Sequence, residues 1–163
     1  MKQYTKFNNI SGWAVFAIAA WVFLSTIEMT GSFWDCGEFI AAAYKLQIGH
    51  PPGAPLFLML SRIMTLFAGS DLQSIPIMVN AFSALVSAFA VLFTFWTITA
   101  IARKIVFVKN QEPSLAQILT VVASGVVGAM AFTFTDSFWF SAVEGEVYAT
   151  SQFFTCIVVW AVF

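Results

Sequence analysis

From Ile75 to Ile101 the chain runs without one charged residue, longer than the roughly 20 apolar residues a helix needs to cross the hydrocarbon core of a bilayer. Lipid offers the backbone no water, so such a segment has to satisfy its N–H and C=O groups internally, and within one segment only a helix does so. The expected fold class is therefore all-α, a polytopic transmembrane helical protein. Ile10 to Ile27 and Leu115 to Phe134 also qualify as spans, and Val147 to Phe163 reads as a fourth. The expected layout is one membrane domain with spans at 10–27, 75–101, 115–134 and 147–163. Between them lie an outer loop at 28–74, a cytoplasmic loop at 102–114 and a second outer loop at 135–146. Composition agrees: 60% hydrophobic and 9% charged residues, with a mean hydropathy of +0.87, lie outside the soluble range. A net charge of −1 leaves no basic surface for nucleic acid. Cys36 and Cys156 have neither metal-site nor disulfide-framework spacing.

Ala54 to Ala68 is apolar but short, and Arg62 interrupts it. If it crossed, Arg103, Lys104 and Lys109 would lie on the opposite side from Lys2 and Lys6. If it does not, all five cations share one face, as the positive-inside rule expects. This segment is therefore expected to lie at the membrane interface, with Arg62 snorkelling towards headgroups. Seven of the eight acids, all but Glu112, then fall on the outer side. The first span follows Lys2 and Lys6 as a signal peptide would, but no cleavage site follows it, so it reads as a retained anchor. The N-terminus is expected in the cytoplasm, with the bacterial inner membrane as the expected location. The wholly apolar end, CIVVWAVF, reads as a span cut short in a longer protein.

The first outer loop gathers ionisable and rigid residues. Ser32 to Gln47 predicts a surface helix, with Ser32 or Asp35 as N-cap, carboxylates in the first turn, and Phe39, Ile40, Ala43 and Leu46 as its apolar stripe. Asp35 and Glu38, three apart, project to one face. They suit a general base or metal ligand, and equally a capping pair without chemistry. In Ile48 to Pro55, IGHPPGAP, three prolines and two glycines make a stiff corner around His50, the only histidine. His50 is either a ligand and proton carrier or a hydrogen-bonding strut.

In the second outer loop, FTDSFWFSAVEGEVY, the rings of Phe138, Trp139, Phe140 and Tyr148 suit the interfacial belt. Glu144 and Glu146 flank Gly145 and could turn towards one divalent cation, Mg²⁺ or Mn²⁺; a solvated turn reads the same way. Gly125 and Gly128 suit close helix packing. Pro76 suits a first helical turn, and Asn80 predicts a bond to a neighbouring helix or water.

WDCGEFIAAAYKLQIGHPPGAPL, followed by VEGEVYATS after the third span, resembles the N-terminal part of the protein O-mannosyltransferase-like membrane glycosyltransferases of the glycosyltransferase-C superfamily, a family long described as a domain of unknown function. The resemblance covers nearly all of the chain and rests on the joint order of the WDCGE, GHPPGAP and EGEVY segments. It implies transfer of a sugar from a polyprenyl-phosphate carrier to a protein or glycan acceptor outside the cytoplasm. It places the acceptor-activating or metal-binding acid on Asp35, with Glu38 as the nearest alternative, and a second acidic motif, a metal-ligand candidate, on Glu144 and Glu146. Such enzymes have more spans than this chain supplies, so the segment alone is expected to be inactive. A carboxylate that takes the proton of a Ser or Thr hydroxyl lowers the barrier, typically by 10²- to 10⁴-fold. Lys45, Arg62 and His50 are the groups available to a departing lipid phosphate. The rival is a non-enzymatic transporter segment or assembly subunit. A transporter would place ionisable residues near mid-bilayer, and no confident span does.

In single-cysteine variants labelled from outside intact cells, a cysteine at Gln47 is expected to react and one at Gln111 to stay protected.

Overall fold

The computed structural model describes residues 1–163, all helix and loop with no strand. Its helices are α1 (Lys2–Ser25), α2 (Cys36–Lys45), α3 (Pro55–Thr65), α4 (Ile75–Val106), α5 (Leu115–Thr133), α6 (Asp136–Val143) and α7 (Val147–Val162). Single 3₁₀ turns at Leu66–Ala68 and Leu72–Ser74 extend α3 and lead into α4. Three helices are long and apolar enough to cross a membrane: Lys2–Ser25, Leu72–Val106 and Leu115–Thr133. Pro55–Ala68 and Val147–Val162 are apolar but shorter. The chain is an all-α polytopic membrane protein.

Helix α4 is the centre. Its most apolar window is 56% buried, against 28% for α1 and for α5, because α1, α5 and α7 all pack on it. Glycines set how close they come. A Cβ at Gly125 would lie 2.5 Å from the Thr99 methyl, one at Gly128 would lie 2.6 Å from Ile98 Cδ1, and one at Gly12 would lie 2.8 Å from Trp96 Nε1. Without a hydrophobic drive between helices in lipid, such close backbone approach is what dispersion needs. Pro76 occupies the first turn of α4, where its missing N–H costs nothing. Ser114 caps α5 in a reciprocal box with Gln117, whose side-chain amide also donates to the Val106 carbonyl and joins the two helices.

The contacts at the helix ends define two poles. At one, the N-terminal ammonium pairs with Glu112, Tyr4 meets Phe107 edge-on at 5.2 Å, and Lys104 stands over Phe163. Lys2, Lys6, Arg103, Lys104 and Lys109 gather here. At the other pole a second, smaller core forms where Cys36, Phe39, Ala43, Phe57 and Leu58 of α2 and α3 close on Ile75 and Val79 of α4. Asn80, fully buried, locks this pole. Its amide donates to the carbonyls of Glu28 at 2.7 Å and Thr30 at 3.1 Å, and the Cys36 thiol lies 3.9 Å from its oxygen.

Three local details add to the expected layout. Helix α1 begins at Lys2, ahead of the span expected from Ile10: nothing between them breaks a helix, and Tyr4 is buried at its own end, against Phe107. Residues 135–146 are not simply a loop, since Asp136–Val143 forms α6. Its helix is held by aromatic packing, with Phe138 4.0 Å from Phe132 and 5.8 Å from Phe23 between ring centroids. Arg62 does not extend freely; its guanidinium lies 5.3 Å from the centre of the Tyr44 ring and donates to the Thr65 hydroxyl.

Replacing Asn80 by alanine strands two loop carbonyls, and the expected cost is about 1–2 kcal/mol, read as a lower midpoint of thermal unfolding in detergent.

Candidate active site

Burial of Phe39, Ile40 and Ala43 against the second core turns the opposite face of α2 outward, and with it Asp35 and Glu38. Leu46, expected on the same apolar stripe, is instead 60% exposed because it leaves the helix in the left-handed region, at φ 51°. Asp35 occupies the N-cap position, yet its side chain makes no capping bond. Its carboxylate is therefore free for other work. The Cys36 thiol beside it is fully buried, and burial pushes its pKa up, which makes it a poor nucleophile.

The proline-rich corner brings His50 back onto α2. Its backbone N–H donates to Glu38 Oε1 at 2.6 Å, its Nδ1 lies 3.0 Å from Glu38 Oε2, and its Nε2 lies 3.7 Å from Asp35 Oδ2. Gly53 closes the corner by donating to the His50 carbonyl. Gly49 lies close to the same acid, and a Cβ there would sit 3.2 Å from Glu38 Oε1. The hydrogen bonds from His50, backbone first, hold Glu38 below the usual carboxylate range, and the bond to Glu38 in turn raises His50 above the ordinary histidine value. Asp35, Glu38 and His50 each offer a ligand atom within 4.8 Å of one another, all exposed.

Glu144 and Glu146 stand in a different environment. They are 2% and 7% exposed, so the solvated turn that the sequence allowed is not what forms. The turn is pressed in because Gly145 has no side chain: a Cβ there would meet Val79 at 2.9 Å and the Asn80 oxygen at 3.0 Å. Burial raises the pKa of Glu144, partly offset by a hydrogen bond from the Ser32 hydroxyl. Burial, then the charges of Glu144 and Asp35, push Glu146 up to about 7. The pair does not belong to a group of three metal-ligating side chains; Asp35, Glu38 and His50 form that group.

The two acidic motifs, more than a hundred residues apart in sequence, meet across two adjoining clefts. One, of about 240 Å³, has Trp34, Asp35, Glu144, Glu146 and Tyr148 in its walls. The other, of about 230 Å³, has Asp35, His50, Glu146 and Tyr148. Asp35, Glu146 and Tyr148 are common to both. Lys45 ends α2, exposed, and Arg62 is folded onto Tyr44; neither lines these clefts.

A family model described as the protein O-mannosyl-transferase TMEM260 N-terminal domain matches residues 35–163. The chain belongs to that family. Among its relatives, the mouse protein O-mannosyl-transferase TMEM260 is 30% identical over 142 residues, which cover 86% of this chain and 17% of the mouse protein. The Dictyostelium discoideum protein of the same name is 25% identical over 126 residues, 77% of this chain and 13% of that protein. The chain thus spans less than a fifth of either relative. No solved structure matches. Within the region matched to the TMEM260 N-terminal domain lie all the side chains that meet at the clefts except Trp34, one residue before it.

The motif reading of WDCGE and EGEVY passed over Trp34 and Tyr148 as wall residues, although each is next to or two residues from a carboxylate it named. The role of Asn80 as a joint had a faint signal, a lone amide in a long apolar helix.

Because folding raises the pKa of His50, the charged His50–Glu38 pair is fully present below the ordinary histidine value and is lost as pH rises through the raised one. Folding lowers the pKa of Glu38, so on the acid side the pair survives until pH falls through that lowered value. An NMR titration of His50 is expected to give a midpoint above 6.5, and Glu38→Gln to return it towards that value.

Proposed function

We propose that this chain is the N-terminal segment of a membrane glycosyltransferase that moves a hexose from a polyprenyl-phosphate carrier to a protein Ser or Thr hydroxyl outside the cytoplasm. The printed names of the relatives support mannose as the sugar and a protein as the acceptor. The observation that carries the reading is Asp35. It is an exposed carboxylate at the start of α2, unused in capping, lying in the wall of both clefts opposite a buried second acid. A capping pair with no chemistry would have its oxygens on the helix N–H groups.

In this reading the acceptor oxygen attacks C1 of the sugar, and the bond from C1 to the phosphate oxygen breaks. The electron pair of that bond leaves with the polyprenyl phosphate, and the hydroxyl proton passes to Asp35. An aliphatic hydroxyl is a weak nucleophile until its proton is being removed, which is why a positioned base matters. The departing phosphate gathers negative charge. His50 stands in the cleft wall to answer it, and the bond to Glu38 favours its charged form. Lys45 and Arg62, standing off the clefts, are assigned no part in the chemistry.

Where a divalent cation takes part instead of a charged His50, Asp35, Glu38 and a neutral His50 are the side chains that would hold it, and their mixed oxygen and nitrogen donors suit Mn²⁺ better than Mg²⁺. It would supply positive charge to the phosphate. For orientation, the pole carrying Lys2, Lys6, Arg103, Lys104 and Lys109 faces the cytoplasm and the clefts face outward, on the positive-inside rule.

In the full-length protein Asp35→Asn is expected to reduce sugar transfer by at least about 10²-fold, at unchanged abundance in the membrane. Transfer close to that of the parent would remove Asp35 from the mechanism.

A further inference from the structure

The two clefts beside Asp35 are walled by different chemistry. The one containing His50 offers a basic side chain. The other offers none: three aromatic rings, Trp34, Phe140 and Tyr148, stand around three carboxylates, Asp35, Glu144 and Glu146. A phosphate would find no basic partner there. A lipid chain could use the rings, but it would set two nearly buried carboxyl groups against hydrocarbon. A sugar ring matches both halves. Its C–H face packs on an aromatic face, and its hydroxyls donate to carboxylate oxygens, each with lone pairs to spare.

Three details point the same way. Trp34 is 89% exposed and held at φ 59°, a conformation that bulky residues rarely take and that costs energy. The strain turns the ring out beside Asp35 while the next residue but one, Cys36, is fully buried. Glu146 is 7% exposed, yet no other side chain bonds to it and its carboxyl meets only the Val147 backbone N–H. That leaves acceptor capacity facing the cleft. The volume, about 240 Å³, lies below the range of about 300 Å³ and upward typical of drug-sized ligands, so the cleft takes one ring rather than a chain of them.

We propose that Trp34, Phe140 and Tyr148 form the subsite for the hexose ring of the glycosyl donor, with Glu144 and Glu146 accepting its hydroxyls. This rests on the transferase reading above. The ring lies on the aromatic side of Asp35 and the phosphate on the His50 side, so the bond to be broken is set across Asp35, whose walls belong to both clefts.

The test uses the full-length protein in detergent, with short-chain polyprenyl-phosphate mannose as donor, sugarless polyprenyl phosphate as inhibitor and methyl α-mannoside as a binding probe. Trp34 is exposed, so truncating it removes no core contact. Trp34→Ala is expected to raise the donor KM about tenfold, roughly the worth of one aromatic contact, while inhibition by the sugarless phosphate is unchanged. Trp34→Phe should restore most of the loss. Methyl α-mannoside should quench tryptophan fluorescence in the parent and not in Trp34→Phe. An unchanged donor KM in both Trp34→Ala and Tyr148→Ala overturns the subsite. So does an equal loss of affinity for the sugarless phosphate, which would make the rings a lipid contact, and so does a parent that binds no methyl α-mannoside. If Asp35→Asn abolishes transfer while the aromatic variants keep the donor KM, the subsite alone falls. If methyl α-mannoside binds in a Trp34-dependent way but no transfer occurs, the subsite stands and the transferase reading falls.

Discussion

The side-chain amide of Asn80 is where three separate stretches of chain are tied together. Buried in the first turns of the central helix, it donates to the carbonyls of Glu28 and Thr30, in the loop after the first span, and its oxygen faces the Cys36 thiol at the start of α2. The same oxygen lies against Gly145, between the two acids of the second loop. A backbone carbonyl kept from water needs a donor, and one amide serves two of them. Much of the acidic pole therefore refers back to a single residue of α4.

That joint also explains the electrostatics. Asp35 and Glu38 are at the water-facing start of a short helix, and the hydrogen bonds from His50 favour the ionised form of Glu38. Glu144 and Glu146 are pressed inward by the glycine between them, and burial favours their protonated forms. Carboxylates of two characters thus face one another over the same clefts, an arrangement that separates acid from base without changing residue type. Neither environment arises without the other, because the turn at Gly145 fits only where α4 and α2 have already met.

Much of this was legible in the chain. Long uncharged segments announced the three spanning helices, since lipid leaves the backbone no alternative, and α5 and the start of α7 fall where the apolar pattern put them. The stripe through Phe39, Ile40 and Ala43 announced α2 and the face on which Asp35 and Glu38 stand. Less legible was α6, because its aromatics suited an interfacial belt as well as a helix, and only the rings of Phe23 and Phe132 choose between them. Lys45 and Arg62 stand away from the clefts. Their sign suited a phosphate, but a long side chain goes where its nearest partner is, and for Arg62 that is Tyr44.

Read alone, the chain already specified an all-α membrane protein and offered Asp35, Glu38, His50, Glu144 and Glu146 as candidate site residues. Both follow from local rules: hydropathy, helical period and motif spacing. Only the tertiary structure decided that the two acidic motifs share one pair of clefts, that Glu144 and Glu146 are buried rather than solvated, and that Trp34 and Tyr148 complete the walls. The reason is that burial and distance belong to pairs of residues far apart in the chain. Those distances are set by how closely glycines let helices approach, and no single stretch of sequence carries that information.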